Sequence, residues 1–201
     1  IYNKSKNIDI IYEDNDIIVV DKKEGILSVS NENNKDITMY NLVSDYVKSK
    51  NKKNKIFVIH RLDYDTSGVL LLTNDGKLTN LLTHPSSEIN KTYIATCKGI
   101  ACDEDLEPLR LGVTVEGVKY SPAKVEIAKI NEEKETSIIK ITIHEGKNRE
   151  VKKMMEYVGY DVLKLNRESF ANLNTKGLYQ GQYRRLTKEE INDLYDLVNK
   201  K

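Results

Sequence analysis

An α+β fold, a largely antiparallel sheet with helices packed on one side of it, is what this chain predicts. Three observations carry that expectation. Strand-like runs outnumber helical stripes, several connections between them are shorter than the dozen residues a parallel crossover needs, and no internal repeat or low-complexity linker interrupts the 201 residues. With 39% hydrophobic and 31% charged residues the composition is that of a globular chain, since disordered chains are poorer in apolar residues. The length fits one domain over residues 1–201, with room for two lobes sharing a core.

The elements follow in order. Ile8 to Tyr12 and Asp16 to Asp21 are β-branched runs around Glu13-Asp14-Asn15, a hairpin pattern, and Lys22 to Gly25 turns the chain. From Thr38 to Lys50, Met39, Leu42, Val43, Tyr46 and Val47 fall at helical spacing. Ile56 to Ile59 reads as a short strand, and Gly68 to Thr73 as one buried on both faces. Asn74-Asp75-Gly76 breaks it, and Leu78, Leu81 and Leu82 mark a short helix before Pro85. Glu88 to Lys98, Val125 to Ile130 and Ile138 to Ile143 are further strands. Asn148 to Val158 is helical, capped by Asn148 and stopped by Gly159; Val162 to Arg167 alternates as a strand. Thr187 and Glu190 form a capping-box pair for a last helix through Val198.

Charge and composition exclude several classes of function. Lys and Arg number 32 against 31 Asp and Glu, so any nucleic-acid contact rests on local patches rather than on an overall basic coat. Only six of the 32 are arginines, the residue suited to forked recognition of phosphate or carboxylate. Two cysteines, Cys97 and Cys102, are too few for a disulfide scaffold and point to a reducing cytoplasm. Those cysteines and three histidines have no zinc-ligand spacing, so no metal site is expected. No apolar run approaches the roughly 18 residues of a membrane span, and no charged-then-apolar leader opens the chain. Five lysines between Lys48 and Lys55 read either as a solvated helix end or as a phosphate-contacting loop.

Two stretches concentrate chemistry. His60-Arg61-Leu62-Asp63-Tyr64-Asp65-Thr66-Ser67-Gly68 lies between two apolar strands, which places ionisable groups at a sheet end, where clefts form. By itself Arg-Leu-Asp also suits a structural ion pair, and Thr66 and Ser67 suit a hydroxyl-capped turn. Glu145-Gly146-Lys147-Asn148-Arg149-Glu150-Val151-Lys152-Lys153 opens a helix under four cations, against the helix dipole. Such a placement calls for a partner, either an acidic side chain or a phosphate, unless the face is simply solvated.

Taken together these stretches resemble the cofactor-free pseudouridine synthases. Arg61-Leu62-Asp63 followed by Thr66-Ser67-Gly68 and a leucine strand ending in Thr73-Asn74-Asp75-Gly76 resembles that family's catalytic motif. Lys91-Thr92-Tyr93 resembles its tyrosine motif. Gly146 to Met155, with Val162-Leu163-Lys164-Leu165-Asn166-Arg167, resembles the later motifs of the ribosomal-RNA branch, the RsuA/RluB type. Tyr12 to Gly25 and Gln182-Tyr183-Arg184-Arg185-Leu186-Thr187 match the family's two ends.

The resemblance implies a pseudouridine synthase fold, a mixed and mostly antiparallel sheet in two lobes with helices packed on it and a central cleft. It implies a bacterial, cytoplasmic isomerase that converts uridine to pseudouridine in ribosomal RNA, without metal or cofactor. The large subunit is favoured over the small, and the partner is ribosomal RNA or a pre-ribosomal particle, approached as a monomer. Asp63 is then the catalytic carboxylate. Loss of uracil leaves charge at the sugar as in glycoside cleavage, and a carboxylate can stabilise it, capture it covalently, or remove a sugar proton. Asp65 is read as structural.

Lys152 aligns with the cation that keeps the carboxylate ionised, where relatives usually carry Arg, and Glu150 stands where Gln is usual. Tyr93 offers an aromatic face and a hydroxyl to an extruded base, or is a core tyrosine. A uridine leaves its stack at a cost of a few kcal/mol, and Arg61 then fills the space or holds the phosphate. Leu165 lines the uracil pocket or belongs to the core. Lys147, Arg149, Lys153 and Arg167 are the expected RNA contacts, joined on one basic face by Lys152, Arg184, Arg185 and the Lys48–Lys55 loop. Lys22-Lys23 departs from the family's Lys-Pro pair, so a looser turn is expected before Gly25. Relatives often carry an N-terminal alpha-L RNA-binding module; it is absent from this chain, as expected if Ile1 follows a cut. An RNA-binding assembly protein without turnover is the alternative reading. A small-molecule enzyme holding phosphate at Thr66-Ser67-Gly68 lacks the Gly-rich strand-to-helix cradle.

Overall fold

The leucine run after the Asp63 loop forms the strand around which the first part of the chain is built. The computed structural model describes residues 9–13, 17–30, 37–50, 55–174 and 188–199. Two units make it up: one comprises residues up to Ser87 and those from Asn172 onward, the other Glu88–Ala171.

In the first unit β1 (Asp9–Glu13) and β2 (Ile17–Lys22) form the expected antiparallel hairpin, its turn lying outside the described residues. α1 (Met39–Lys50) follows, and then β3 (Phe57–Val58) and β4 (Thr66–Thr73). β4 pairs with β2 from Ile17↔Thr73 to Lys22↔Gly68, and with β3 at Thr73 and Leu72. Every β4 residue except Ser67 is buried, which is why the run is apolar on both faces. The helical stripe does what its spacing predicts. Met39 and Val43 enter a cluster with Ile18, Val20, Ile56, Leu70 and Leu72, and Tyr46 and Val47 pack on its edge. α2 (Gly76–Thr83) starts where Asp75 accepts hydrogen bonds from the Lys77 and Leu78 amides.

The second unit holds an antiparallel sheet of β5 (Lys91–Lys98), β8 (Lys124–Asn131), β9 (Thr136–Ile143) and β10 (Val162–Phe170), in the order β10-β5-β9-β8. Alternation sends Tyr93, Ala95 and Cys97 of β5 and Ser137, Ile139, Ile141 and Ile143 of β9 inward. α4 (Glu150–Tyr157) buries Val151, Met154 and Met155. Gly159 ends it at φ +88, as the sequence predicts.

Two elements differ from the sequence reading, which has neither. α3 (Asp103–Leu111) opens on three acids and buries Leu106 and Leu109, although it contains Pro108. The hairpin β6 (Val113–Val115) and β7 (Val118–Tyr120) turns through Glu116 and Gly117, both at positive φ, the geometry of a two-residue turn. Between them Gly112 is obligatory: a Cβ there would stand 2.9 Å from the Tyr120 carbonyl oxygen. Arg110 ties α3 to the sheet, its guanidinium reaching Asp103 Oδ1 at 2.7 Å and the Val125 carbonyl at 3.1 Å.

The chain then returns to the first unit, where α5 (Lys188–Asn199) packs against α2 and buries Leu194. Thr187 of the expected capping box, Arg184, Arg185 and the middle of the Lys48–Lys55 loop lie outside the described residues. Among those described, no helix is long and apolar enough to cross a membrane.

Candidate active site

Asp63 stands on the connection between β3 and β4, at the β2–β4 end of the first unit's sheet. Leu62 beside it is buried in the core while Arg61 and Tyr64 are exposed, so the loop is anchored by one side chain and displays its neighbours. The Asp63 side chain is half-buried. Its carbonyl accepts from the Thr66 amide at 3.1 Å, closing the turn that leads into β4. Thr66 does not provide the hydroxyl cap the sequence suggested: its Oγ1 is buried without a hydrogen-bond partner.

The segment from Lys22 to Ser28 clamps this loop. Ser28 Oγ donates to the Leu62 carbonyl at 2.8 Å and accepts from the Leu62 amide at 2.9 Å. The Gly25 amide donates to the Tyr64 carbonyl at 2.9 Å. Gly25 takes φ +78, a conformation open to glycine at little cost. Lys22 is fully buried, and its Nζ donates to the Lys23 carbonyl at 2.8 Å and the Tyr64 carbonyl at 3.4 Å. The looser turn expected from the missing Lys-Pro pair is therefore not what the structure has. Burial pushes the Lys22 ammonium down to about 8, against the attraction of Asp65, Asp63, Asp21 and Glu24. A cation near Asp63 thus comes from within its own unit. The sequence reading noted Lys22 only as part of the turn and not as a charge near Asp63, and its signal was a lysine ending the strand Ile17–Lys22 after four apolar residues and Asp21.

In the second unit Tyr93 on β5 faces Arg167 on β10 in register, and Leu165 faces Ala95 two residues along. Tyr93, Leu165 and Arg167 therefore share the inward face, at 9%, 4% and 1% exposure. Arg167 cannot belong to a solvent-facing basic patch, which corrects its place among the surface RNA contacts. An inward position on an alternating strand, two residues after Leu165, is the reason. Its Nη1 donates to the Tyr93 hydroxyl at 3.4 Å, and its guanidinium carbon lies 5.9 Å from the Tyr93 ring centre and 5.6 Å from that of Phe170.

The four-cation stretch is resolved into separate partners. Lys147 Nζ pairs with Glu145 at 2.6 Å and donates to the Lys119 carbonyl at 2.7 Å, and Lys153 pairs with Glu116 at 2.7 Å. For these two the acidic side chain is the partner present. Lys152 is half-buried on α4, and Arg149 is exposed in the left-handed region at φ +51. Asn148 is not the cap: α4 begins at Glu150, whose Oε2 accepts from the Lys147 amide at 2.8 Å. A carboxylate, not a cation, occupies the first helical position, as the dipole favours.

Glu150 is 4% exposed and its Oε1 has no hydrogen-bond partner; burial chiefly pushes its carboxyl above the usual range. Lys91 Nζ donates to the Ile89 and His144 carbonyls, each at 2.9 Å. Burial first, then repulsion from Arg167, brings Lys91 down to about 8, with Glu150 opposing. Among the described residues no three His, Cys, Asp or Glu side chains are grouped to hold a metal ion.

Comparison with known proteins gives the chain's family. The chain is 48% identical over 158 residues to the ribosomal large subunit pseudouridine synthase B of Bacillus subtilis, covering 79% of this chain and 64% of that protein. It is 32% identical over 182 residues to the dual-specificity RNA pseudouridine synthase RluF of Salmonella typhi, covering 90% of this chain and 58% of that one. It thus spans about three fifths of the length of these relatives. A crystal structure of a pseudouridylate synthase superposes with a TM-score of 0.73 at 28% identity, over 90% of this chain and 74% of that one. Human RNA pseudouridylate synthase domain containing 4 shares the fold at 12% identity, with a TM-score of 0.58 over 77% of this chain and 66% of that one. A family model described as RNA pseudouridylate synthase matches residues 16–157, a span that takes in the clamped Asp63 loop, Tyr93 and all of α4, and the chain belongs to that family.

Proposed function

We propose that this chain isomerises a specific uridine of ribosomal RNA to pseudouridine, in the large subunit, with Asp63 as the catalytic carboxylate. The observation that carries the proposal is the Asp63 loop itself. A half-buried carboxylate sits on a backbone held at Leu62 and Tyr64 by Ser28, Gly25 and Lys22, with a buried ammonium nearby. A preorganised negative charge of this kind suits stabilisation of positive charge at an anomeric carbon.

The reaction breaks the bond from uracil N1 to the ribose, turns the base, and forms a bond from uracil C5. The C5 proton is then lost and N1 regains one, so no co-reactant is consumed. Asp63 meets the sugar carbon during the cleavage by one of the three carboxylate routes. Tyr93 supplies the aromatic face and hydroxyl for the base, and Leu165 an apolar wall. Arg61, exposed beside Asp63, holds the flipped nucleotide's phosphate or fills the vacated stack. The resemblance gives Lys152 the part of a cation for Asp63, a part Lys22 shares from within the unit. Lys147, Arg149 and Lys153 contact RNA phosphate, Lys147 and Lys153 by exchanging their carboxylate partners for it. The chain acts as a cytoplasmic monomer on ribosomal RNA or a pre-ribosomal particle.

Release of tritium from ribosomal RNA labelled at uridine C5 tests this reading. The wild-type chain should release it, and Asp63→Asn should lower the rate at least roughly 1,000-fold, the scale on which removing a catalytic group acts. Undiminished release by Asp63→Asn overturns the assignment. RNA binding with no release by the wild type supports the assembly-protein alternative. Undiminished turnover by Lys152→Ala removes Lys152 from the machinery. Mapping pseudouridines in ribosomal RNA from a strain lacking the gene decides the subunit.

A further inference from the structure

A buried arginine demands a reason. Ending up 1% exposed, Arg167 has lost nearly all its water, and a well-packed apolar residue would usually serve a core position as well or better. Its surroundings specify what the guanidinium does. Register puts it directly across from Tyr93, two rings flank it, and one N–H is aimed at the Tyr93 hydroxyl oxygen. Lys91, half-buried on the same strand as Tyr93, is a second cation nearby, its charge disfavoured by Arg167 and favoured by Glu150.

From this geometry we propose that Arg167 is the positioning residue for Tyr93: it fixes the phenol as a hydrogen-bond donor toward the uracil ring. The reasoning is one of donor inventory. Guanidinium has five N–H donors and no acceptor, so the Tyr93 oxygen can only accept from it. The phenolic proton is then left to be given elsewhere, and the acceptor suited to it is a carbonyl oxygen of the base. Without Arg167 the hydroxyl is free to rotate and to accept rather than donate. The ring contacts hold the phenol plane as well, through attraction between the cation and the π-face. At 3.4 Å the hydrogen bond is long, as catalytic hydrogen bonds often are before substrate tightens them. The inference rests on the role proposed for Tyr93 and replaces phosphate contact as the function of Arg167.

The test is a double-mutant cycle on the full chain, with C5-tritiated ribosomal RNA as substrate and Arg167→Met, Arg167→Lys, Tyr93→Phe and the double variant Arg167→Met/Tyr93→Phe. Arg167→Met should lower kcat roughly 30- to 100-fold with KM changed less than about threefold, and Arg167→Lys should recover part of the loss. In the Tyr93→Phe background the Arg167→Met change should cost less than about threefold more, because the two groups act as one unit. The slope of log affinity against log salt should not change. A slope reduced by about one, with the loss in KM, identifies a phosphate contact and overturns the proposal. So do equal losses in both backgrounds. Tyr93→Phe with full turnover strikes the Tyr93 reading instead, and is read before the cycle. If circular dichroism shows Arg167→Met unfolded, Arg167→Lys carries the cycle, with an expected loss of about tenfold that vanishes beside Tyr93→Phe.

Discussion

Among the described residues Lys22 is buried in the first unit and Lys91 half-buried in the second, and the two ammonium groups reach nearly the same state by different routes. Lys22 is surrounded by carboxylates, with Asp65, Asp63, Asp21 and Glu24 all drawing it toward the charged form, and burial alone brings it down to about 8. Lys91 has one favourable neighbour, Glu150, and an unfavourable one, Arg167, which adds to burial in bringing it to about 8. A single number therefore hides two designs. In the first unit a cation stabilises an acidic loop and holds its backbone; in the second, Lys91 stands between a cation, Arg167, that disfavours its charge and a carboxyl, Glu150, that favours it. What differs is the consequence of removing each group.

The largest expected effect is on stability at alkaline pH. For both lysines the folded value lies below the ordinary 10.5, so between about 8 and 10.5 the unfolded chain holds a proton that the fold has released. Stability thus rises with pH across that window, and the cost of burying the charge is fully present below it. A shift of this size is worth at most about 3 kcal/mol per lysine. The Cys97 thiol, pushed up to about 12 by burial, acts with the opposite sign above about 9, so the lysine effect must be read as a difference. Denaturant unfolding at pH 7.5 and 10 should show wild type gaining on Lys22→Met and on Lys91→Met by up to about 3 kcal/mol. Parallel pH profiles of wild type and both variants would break the comparison.

A smaller effect separates the two designs. Lys22→Met should speed hydrogen exchange at the Gly25 and Leu62 amides by roughly tenfold, about 1.4 kcal/mol of local opening, whereas Lys91→Met should leave both amides as they were. Equal exchange in both variants would mean that Lys22 does not hold the Asp63 loop.

The smallest effect concerns Glu150, the carboxyl that favours the Lys91 charge. Glu150→Gln keeps the oxygen that accepts from the Lys147 amide but removes the one favourable charge near Lys91. The lower edge of the alkaline window should move below pH 8, while stability at neutral pH changes by less than about 1 kcal/mol. A window unmoved by this change would show that Glu150 does not support the Lys91 charge.

Much of the architecture was legible because it depends on local periodicity. The leucine strand, the helical stripe from Met39, the alternation of Ile139, Ile141 and Ile143, and the Gly159 stop all follow from one face of an element meeting a core. The two missed elements carried their own signals: three acids before Leu106 and Leu109, and Glu116-Gly117 between valine alternations. Pro108 and the brevity of the strands hid them. The location of Asp63 on a loop between strands was readable. The clamp on it was not, because Lys22 and Ser28 reach it only through the β2–β4 pairing some 40 residues away in the chain. Arg167 was misjudged for a related reason: a charge suggests solvent, yet strand alternation set it inward beside Leu165.

The amino-acid sequence by itself determined the class of fold, the loop that bears Asp63, and the family motifs, since these depend on composition and on residues near one another in the chain. Only the tertiary structure decided which cations have acidic partners, which lysines are dehydrated, and that Arg167 lies against a phenol. Those outcomes depend on burial and on contacts between distant strands, and burial sets what a charge costs and what it must be paired with.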